Sequence, residues 1–194
     1  MSHPQESPAI LPRLRHETRP FHDAVEQNHF NLALGAGTVT AADTAQFLAR
    51  MYGFLQPYEA QLHAHAAAFG PAWLLDQRYR APLILEDLAR LGHPAPPPRC
   101  PALPPLSTRA QLLGAMYVFE GSTLGGQVIA RQLDKAGIAA HAFFTGRAER
   151  TGPLWKAFGE QLTEAAEAGH DDPAAIVASA VHTFQALAKW LNQP

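Results

Sequence analysis

The chain has very little cysteine and no long apolar run. Of its 194 residues only Cys100 is a cysteine, which excludes an internal disulfide and a zinc site built from several cysteines. Such cysteine usage is typical of a reducing cytoplasm. No apolar run approaches the ~20 residues that a membrane span needs. The first eight residues, which are polar and contain two prolines, have no apolar signal core. We therefore expect a cytoplasmic protein that does not enter the membrane.

The chain also lacks an excess of charge of one sign. Its formal net charge is -2, which gives no indication of a nucleic-acid-binding surface. The hydrophobic fraction of 47% argues against a disordered chain. A length of 194 residues is typical of one domain that buries its own core. We therefore expect a single domain over residues 1–194.

Alternating apolar and polar residues, the pattern of a half-buried strand, are missing as well. The apolar spacing is helical throughout, which predicts an all-α fold. Seven of the twelve residues in 94–105 are prolines, so this stretch is predicted to be an extended loop inside the domain. Six main helices are expected: Ser7 or Leu11 to Gln27, Thr40 to Gly70, Arg80 to Leu91, a long helix capped by Ser107 and reaching Ala136, Thr151 to Ala168, and Asp172 to Asn192.

The long helix contains four glycines, at positions 114, 121, 125 and 126. Each glycine costs about 1 kcal/mol relative to alanine in a helix. Either the glycines let neighbouring helices pack closely, or they let backbone approach a flat ligand. Tyr117, Gly121, Leu124, Gly125 and Val128 share one helical face, where glycines would permit a kink and leave a shallow shelf. Spacing alone does not choose between these explanations.

The first helix carries a ridge of polar residues at its flank: Arg15, Arg19, His22 and Glu26. Neutral imidazole is a good iron ligand. A carboxylate four residues later can accept the other ring N–H, directly or through water. Guanidinium groups pair well with the carboxylates of a ligand. The alternative is a partly exposed histidine in an ordinary charge ladder, and His65 is a reserve ligand.

Two segments carry a family resemblance. Residues Tyr117 to Gln127, with the sequence YVFEGSTLGGQ, resemble the distal-helix signature of haem oxygenases in its bacterial form. Residues Leu14 to Glu26 resemble the proximal helix of the same family. The resemblance implies a single-domain, all-α helical bundle that holds haem between a proximal helix and a kinked distal helix.

The resemblance also implies roles for individual residues. The iron-ligating histidine of the family matches His22. Its basic propionate partners match Arg15 and Arg19, and its second-shell glutamate matches Glu26. Pro20 is unusual within such a helix, because proline strains or kinks a helix interior.

On the distal helix, the backbone at Gly121 and Gly125 is implied to lie against haem and to leave room for oxygen. The matched motif also includes Gly126, and Tyr117 matches a tyrosine that reaches the propionates. Lys156 resembles a family position that binds a propionate, with an ordinary exposed lysine as the alternative. These residues complete the expected haem site.

Ser122 is a departure from the family pattern. Many members carry an aspartate at this position, where it orders water for proton delivery. A hydroxyl can still hydrogen-bond water but cannot place a charge there. The details of proton delivery are therefore less determined than the haem pocket.

The function implied by the resemblance is oxidative cleavage of haem at a meso carbon, with the alpha position favoured. The products are biliverdin, iron and carbon monoxide. The reaction uses O2 and electrons from an external donor of the ferredoxin or flavin reductase type, because the chain has no flavin or iron–sulfur motif. A downstream acceptor of biliverdin is a further expected partner.

Three alternatives stay open at this stage. Non-catalytic haem storage or transport would use the same pocket. A di-iron carboxylate oxidase would use the two E-x-x-H pairs, Glu26/His29 and Glu167/His170, although both pairs fall at predicted helix ends. A thiaminase-like hydrolase would need Cys100 as its nucleophile, although Cys100 falls in the proline-rich loop.

Overall fold

The computed structural model describes residues 9–93 and 97–193, and this part of the chain is helical without a β-strand. The all-α prediction is confirmed. The described residues form nine α-helices: α1 (Ile10–Glu26), α2 (His29–Ala36), α3 (Ala41–Ala64), α4 (Ala81–Arg90), α5 (Arg109–Ser122), α6 (Gly126–Lys135), α7 (Ala142–Thr145), α8 (Thr151–Glu167) and α9 (Pro173–Leu191). The alternative start of the first helix at Ser7, and residues 94–96 of the proline-rich segment, lie outside the described residues.

The first helix agrees closely with its predicted range. α1 continues through Pro20, so the proline does not end the helix. α9 begins as predicted, with the Asp172 side chain accepting a hydrogen bond from the Ala174 N–H and Pro173 in the first helical position. Apolar periodicity was therefore sufficient for α1, and periodicity together with the Asp172 cap was sufficient for α9.

The predicted cap of the long helix was wrong by one residue. Thr108, not Ser107, caps α5, and it forms a capping box with Gln111. The Gln111 side chain also accepts from the Ser107 N–H at 2.9 Å. Two adjacent hydroxyl residues compete for one role, and Thr108 takes it because its side chain reaches the N–H three residues later.

Three further features differ from the predicted ranges. α3 ends at Ala64 rather than at Gly70, and short 3-10 turns follow it. α2 was not predicted, although Asn28 caps its start and Gly37 ends it with a φ of 70°. The four-residue α7 was not predicted either. Its first N–H groups are held by the buried carboxylate of Asp87, at 2.9 Å from Ala142 N and Phe143 N.

The long helix is broken, as the kinked-helix prediction requires. α5 ends at Ser122, a 3-10 turn spans Thr123–Gly125, and α6 begins at Gly126. At the break, side-chain hydroxyl groups donate hydrogen bonds to backbone carbonyls. Ser122 Oγ donates to the Phe119 carbonyl at 2.7 Å, and Thr123 Oγ1 donates to the Glu120 carbonyl at 2.6 Å. Such local side-chain bonds commonly accompany bends in helices.

α9 organises the core, because it packs against both α1 and α5. Fully buried side chains come from most of the long helices, including Leu14, Phe54, Leu112, Met116, Phe158 and Ile176. Residues 97–105 are irregular and lie on α3, where the Cys100 N–H donates to the Gly53 carbonyl at 2.8 Å. In the described part of the chain, every helix is too short or too polar to cross a membrane.

Candidate functional site

The four glycines of the broken helix fall into two pairs. A Cβ atom at Gly114 would stand 2.3 Å from the Ile176 carbonyl oxygen of α9, and one at Gly126 would stand 2.1 Å from the Phe144 carbonyl oxygen of α7. Close packing therefore explains these two glycines. A Cβ atom at Gly125 would meet nothing within 4 Å, and one at Gly121 would make only ordinary contact with Trp155 at 3.8 Å. Close packing does not explain Gly121 or Gly125.

Apolar side chains surround the open pair of glycines. Leu124 and Val128, on the same face of the broken helix, are each 50% exposed, whereas most large aliphatic side chains of the chain are buried. Single exposed aliphatic side chains are common, but two of them beside bare backbone make an apolar surface suited to a flat ligand. We name the surface formed by Gly121, Leu124, Gly125 and Val128 the open face.

His22 is accessible on α1, with a side chain that is 53% exposed. Its ring makes an edge contact with Phe184 of α9, with ring centres 5.7 Å apart. The Nδ1 atom lies 3.7 Å from Asp23 Oδ1 and 3.8 Å from Glu26 Oε1. These distances exceed a direct hydrogen bond, but they place both carboxylates beside Nδ1. Because both carboxylates lie beside Nδ1, Nε2 is the nitrogen that remains for a metal.

The ligand atoms of His22, Asp23 and Glu26 lie within 4.8 Å of one another, and no other such group exists within residues 9–93 and 97–193. The E-x-x-H pairs do not converge. His29 instead contacts Asp43 at 2.9 Å, and Glu167 is the last, exposed residue of α8. The geometry therefore gives no support to a di-iron centre built from these pairs.

Tyr117 joins the two halves of the site. It is half-buried in α5, and its ring centre lies 5.9 Å from that of Trp155 in α8. Burial raises the pKa of Tyr117, while a hydrogen bond with Thr18 and the positive charge of Arg15 act in the opposite direction. Thr18 and Arg15 belong to α1, so Tyr117 of α5 lies near this part of α1.

The basic residues predicted for the site are exposed. Arg15 is exposed on α1, and Arg19 Nε lies 3.9 Å from Asp23 Oδ2. The Lys156 side chain is 80% exposed, with Nζ 3.8 Å from Glu160 Oε1. Lys156 also lines a groove of about 870 Å³ between Leu11 of α1 and α8. This groove lies toward the start of α1 and does not include His22 or the open glycines.

A buried group of charges lies behind the broken helix, and sequence reasoning missed it. Glu120 Oε2 accepts from Arg78 Nη1 at 2.5 Å and from Arg147 Nη1 at 2.6 Å. All three side chains are at most 7% exposed. Burial lowers the pKa of Arg78, and the Glu120 carboxylate partly offsets this. We name Arg78, Arg147 and Glu120, together with Arg80 and Glu59, the arginine cluster.

Arg80 links this cluster to Ser122. Its Nη2 donates to the Phe119 carbonyl at 2.9 Å and to Ser122 Oγ at 3.2 Å. Ser122 thus has protein partners for its hydroxyl, and its exposed side chain can still hydrogen-bond water. The one sequence signal for the cluster was Glu120 itself, a carboxylate at the end of the apolar stretch Leu112 to Phe119, since a buried charge requires partners.

Comparisons with known proteins identify the family of this chain. The family model described as heme oxygenase matches residues 9–193. A heme oxygenase of Xanthomonas campestris pv. campestris (strain 8004) is 36% identical over an alignment of 162 residues, and the match covers 80% of this chain and 95% of the relative.

Two solved structures have the same fold at 16% identity. The heme oxygenase of Leptospira interrogans has a TM-score of 0.73 and covers 94% of this chain and 98% of its own. Heme oxygenase-1 of the cyanobacterium Synechocystis sp. PCC6803, solved in complex with heme, has a TM-score of 0.71 and covers 95% and 91%. With a family model that spans nearly all of its length, this chain belongs to the haem oxygenase family.

Proposed function

We propose that the chain degrades haem to biliverdin in the space between α1 and the open face of α5–α6. The observation that carries this placement is that α9 packs against both α1 and α5, with Thr18 of α1 near Tyr117 of α5. His22 lies one helical turn beyond Thr18 on α1, and Gly121 lies one turn beyond Tyr117 on α5. An accessible imidazole and a bare stretch of backbone therefore follow the same contact between the two helices.

The residues present fit haem. Haem is flat and apolar, carries two carboxylates at one edge, and needs an axial ligand for its iron. The open face offers apolar contact and no side chain at Gly125. His22 offers an imidazole nitrogen, and Arg15 and Arg19 offer positive charge on the same helix. Each chemical feature of the ligand has a counterpart among exposed side chains.

On the proximal side, His22 is proposed to ligate the iron through Nε2. The carboxylates of Glu26 and Asp23 lie beside Nδ1 and favour the tautomer with its proton there. That tautomer leaves the lone pair on Nε2 for the metal. A hydrogen bond from Nδ1 to Glu26, directly or through water, would also strengthen the ligand, as is common for histidines at metal sites.

On the distal side, Gly121 and Gly125 are proposed to form the surface that covers haem. When bound, haem supplies both the iron at which O2 reacts and the ring carbon that is oxidised. Because these two glycines have no side chains, their backbone leaves space for O2 on this side of the haem, but not for molecules much larger than O2. Gly126 packs against α7 and so fixes the start of α6, while Ser122 holds the break through the Phe119 carbonyl.

The haem carboxylates are proposed to meet Arg15, Arg19, Tyr117 and Lys156. Tyr117 and Arg15 already lie near each other. Lys156 would have to leave Glu160, which is a small cost for an exposed pair. Because these contacts set how haem is rotated in its plane, they decide which meso carbon is attacked, and we expect the alpha position.

The remaining partners follow from the reaction. We propose that electrons come from an external protein of the ferredoxin or flavin reductase type. A separate biliverdin acceptor takes the product. We also propose that residues 1–194 form a single domain. The proposed location of the protein is the cytoplasm.

The test begins with the full chain, ferric haem, a reductant system and O2. The Soret band is expected to decay while biliverdin absorption rises. A haem complex that persists under these conditions would instead indicate haem storage or transport. A failure to form any Soret-absorbing complex would contradict haem binding altogether.

The ligand assignment is tested by His22→Ala, with His16→Ala as the matched control. Both histidines are exposed on α1, so neither change should disturb the fold. His22→Ala is expected to shift the Soret and ligand-field bands of the ferric complex and to abolish turnover. Added imidazole should restore the bands. Wild-type bands in His22→Ala would refute the assignment, whereas His16→Ala should keep both the bands and the turnover.

A further inference from the structure

Arg80 is a buried cation without an ion-pair partner in the described part of the chain. The residue is 4% exposed, and burial, with Arg147 adding to it, lowers the pKa of Arg80 to about 10. Its side-chain contacts are the Phe119 carbonyl, Ser122 Oγ and the Phe143 ring, whose centre is 4.8 Å from the guanidinium carbon. The guanidinium therefore stays positive at neutral pH. Glu120 and Glu59 attract it, but neither forms a direct ion pair with it.

The surrounding charges leave this positive charge in excess. The arginine cluster contains three guanidinium groups and two carboxylates, those of Glu120 and Glu59. Arg78 and Arg147 both bond to Glu120. Glu59 accepts from the backbone N–H groups of Arg80 and Ala81, and burial raises the pKa of Glu59. The nearby carboxylate of Asp87 is occupied by backbone N–H groups of α7 and by Arg90.

The cluster is also costly to build. Buried ion pairs seldom add stability over well-packed apolar residues. Arg78 Nη2 and Arg147 Nε are buried without a hydrogen-bond partner in the described structure. Within residues 9–93 and 97–193, only Leu74 and Ala148 are non-glycine residues with positive φ, 51° and 41°. They lie in the segments that deliver Arg78 and Arg147, and backbone strain of this kind clusters at functional sites.

The position of the Arg80 charge indicates its function. Ser122 follows Gly121 directly, and Arg80 donates a hydrogen bond to Ser122 from the buried side of the helix. The exposed open face and the buried cluster are therefore two sides of the same break in the helix. A fixed positive charge in a poorly hydrated site acts on neighbouring negative charge more strongly than it would in water.

We propose that Arg80 is the positioning residue of the distal side: it holds Ser122 at the helix break, and its buried charge favours an anionic over a neutral ligand at the open face. The inference rests on the proposed haem site. It concerns the charge of the distal side only, so it does not depend on turnover.

The test uses the ferric haem complex of the full chain and two probes, sodium azide and imidazole. Azide is an anion, whereas imidazole is mostly neutral at pH 8. Each affinity is read from the Soret shift. A change in how easily ligands reach the iron alters both affinities, so it cancels in the ratio of azide to imidazole affinity. A unit charge acting over roughly 10 Å at an effective dielectric of about 20 changes the affinity of an anion by roughly tenfold.

Four variants separate charge from structure. Arg80→Gln is expected to lower the ratio roughly tenfold, and Arg80→Lys is expected to restore most of it. Glu59→Gln removes a neighbouring negative charge without changing the guanidinium, so it should raise the ratio. Lys189→Gln removes an exposed positive charge near the end of α9 and controls for net charge, so its ratio should match the wild type.

An Arg80→Gln complex with the wild-type ratio would overturn the proposal. If that variant does not fold, Glu59→Gln decides the matter, and a ratio that does not rise has the same consequence. Wild-type protein that forms no haem complex would instead refute the proposed function, and this inference with it. If Lys189→Gln also lowered the ratio of azide to imidazole affinity, the effect would reflect net charge in general and would contradict a specific role for Arg80.

Discussion

The two sides of the broken helix differ in what they contact. One side, with Gly114 and Gly126, meets the backbone of α9 and α7 at distances that no side chain could occupy. The other side, with Gly121 and Gly125, has bare backbone that makes no close contact. The same residue type within thirteen positions therefore serves packing in one case and leaves a surface open in the other.

The charged groups of the molecule also differ between a buried set and an exposed set. Glu120 is buried between two guanidinium groups, whereas the ridge on α1 has its charges in solvent. Exposed charges contribute little to folding. The ridge is thus available to bind a ligand, and the cluster is tied to the fold. Substitutions on the two sides should accordingly change different measured quantities.

The largest effect on stability is expected for Glu120→Gln. Loss of this carboxylate leaves Arg78 and Arg147 buried without a counter-charge, and breaking a buried pair typically lowers the free energy of unfolding by about 3–5 kcal/mol. Urea denaturation of the full chain measures the change. Glu160→Gln is the control, because its partner Lys156 is exposed and such pairs contribute about 0.5 kcal/mol or less. Equal effects of the two changes would show that the cluster is not essential to the fold.

A smaller loss is expected for Gly126→Ala. The added methyl group would overlap the Phe144 carbonyl, so α6 or α7 must shift. Overpacking of this kind costs about 1–3 kcal/mol, and it outweighs the gain of about 1 kcal/mol from better helix propensity. The melting temperature should therefore fall. An unchanged melting temperature would mean that α7 yields freely and that Gly126 is not a packing glycine.

The smallest effect on stability, and of opposite sign, is expected for Gly125→Ala. Its φ of -80° is accessible to any residue and its side-chain direction is empty, so the ligand-free protein should gain up to about 1 kcal/mol. The same methyl group would project onto the open face, and we expect haem affinity to fall by about tenfold or more. Haem titration followed at the Soret band measures this. Undiminished haem affinity in a stabilised variant would place the ligand elsewhere.

Much of the scaffold could be predicted because its signals are local. The helical class, the start of α9 at Asp172 and the kink in the long helix follow from apolar spacing, capping residues and glycine content. α7 could not be predicted in this way. It is four residues long, and its N–H groups depend on Asp87, more than fifty positions earlier. The Thr108 cap was missed, and Ser107 predicted in its place, because the two neighbouring hydroxyl residues carry the same chemical signal.

The candidate site likewise has some features that follow from local sequence and others that depend on distant contacts. The sequence by itself determined that Arg15, Arg19, His22 and Glu26 share one ridge, because 3.6 residues per turn place such positions together in any α-helix. Only the tertiary structure decided which glycines stay open and that Arg80 lies beside Ser122, which is 42 residues away in the chain. The physical reason is that backbone hydrogen bonds within four residues define a helix, whereas its neighbours come from distant segments that pack by shape and charge.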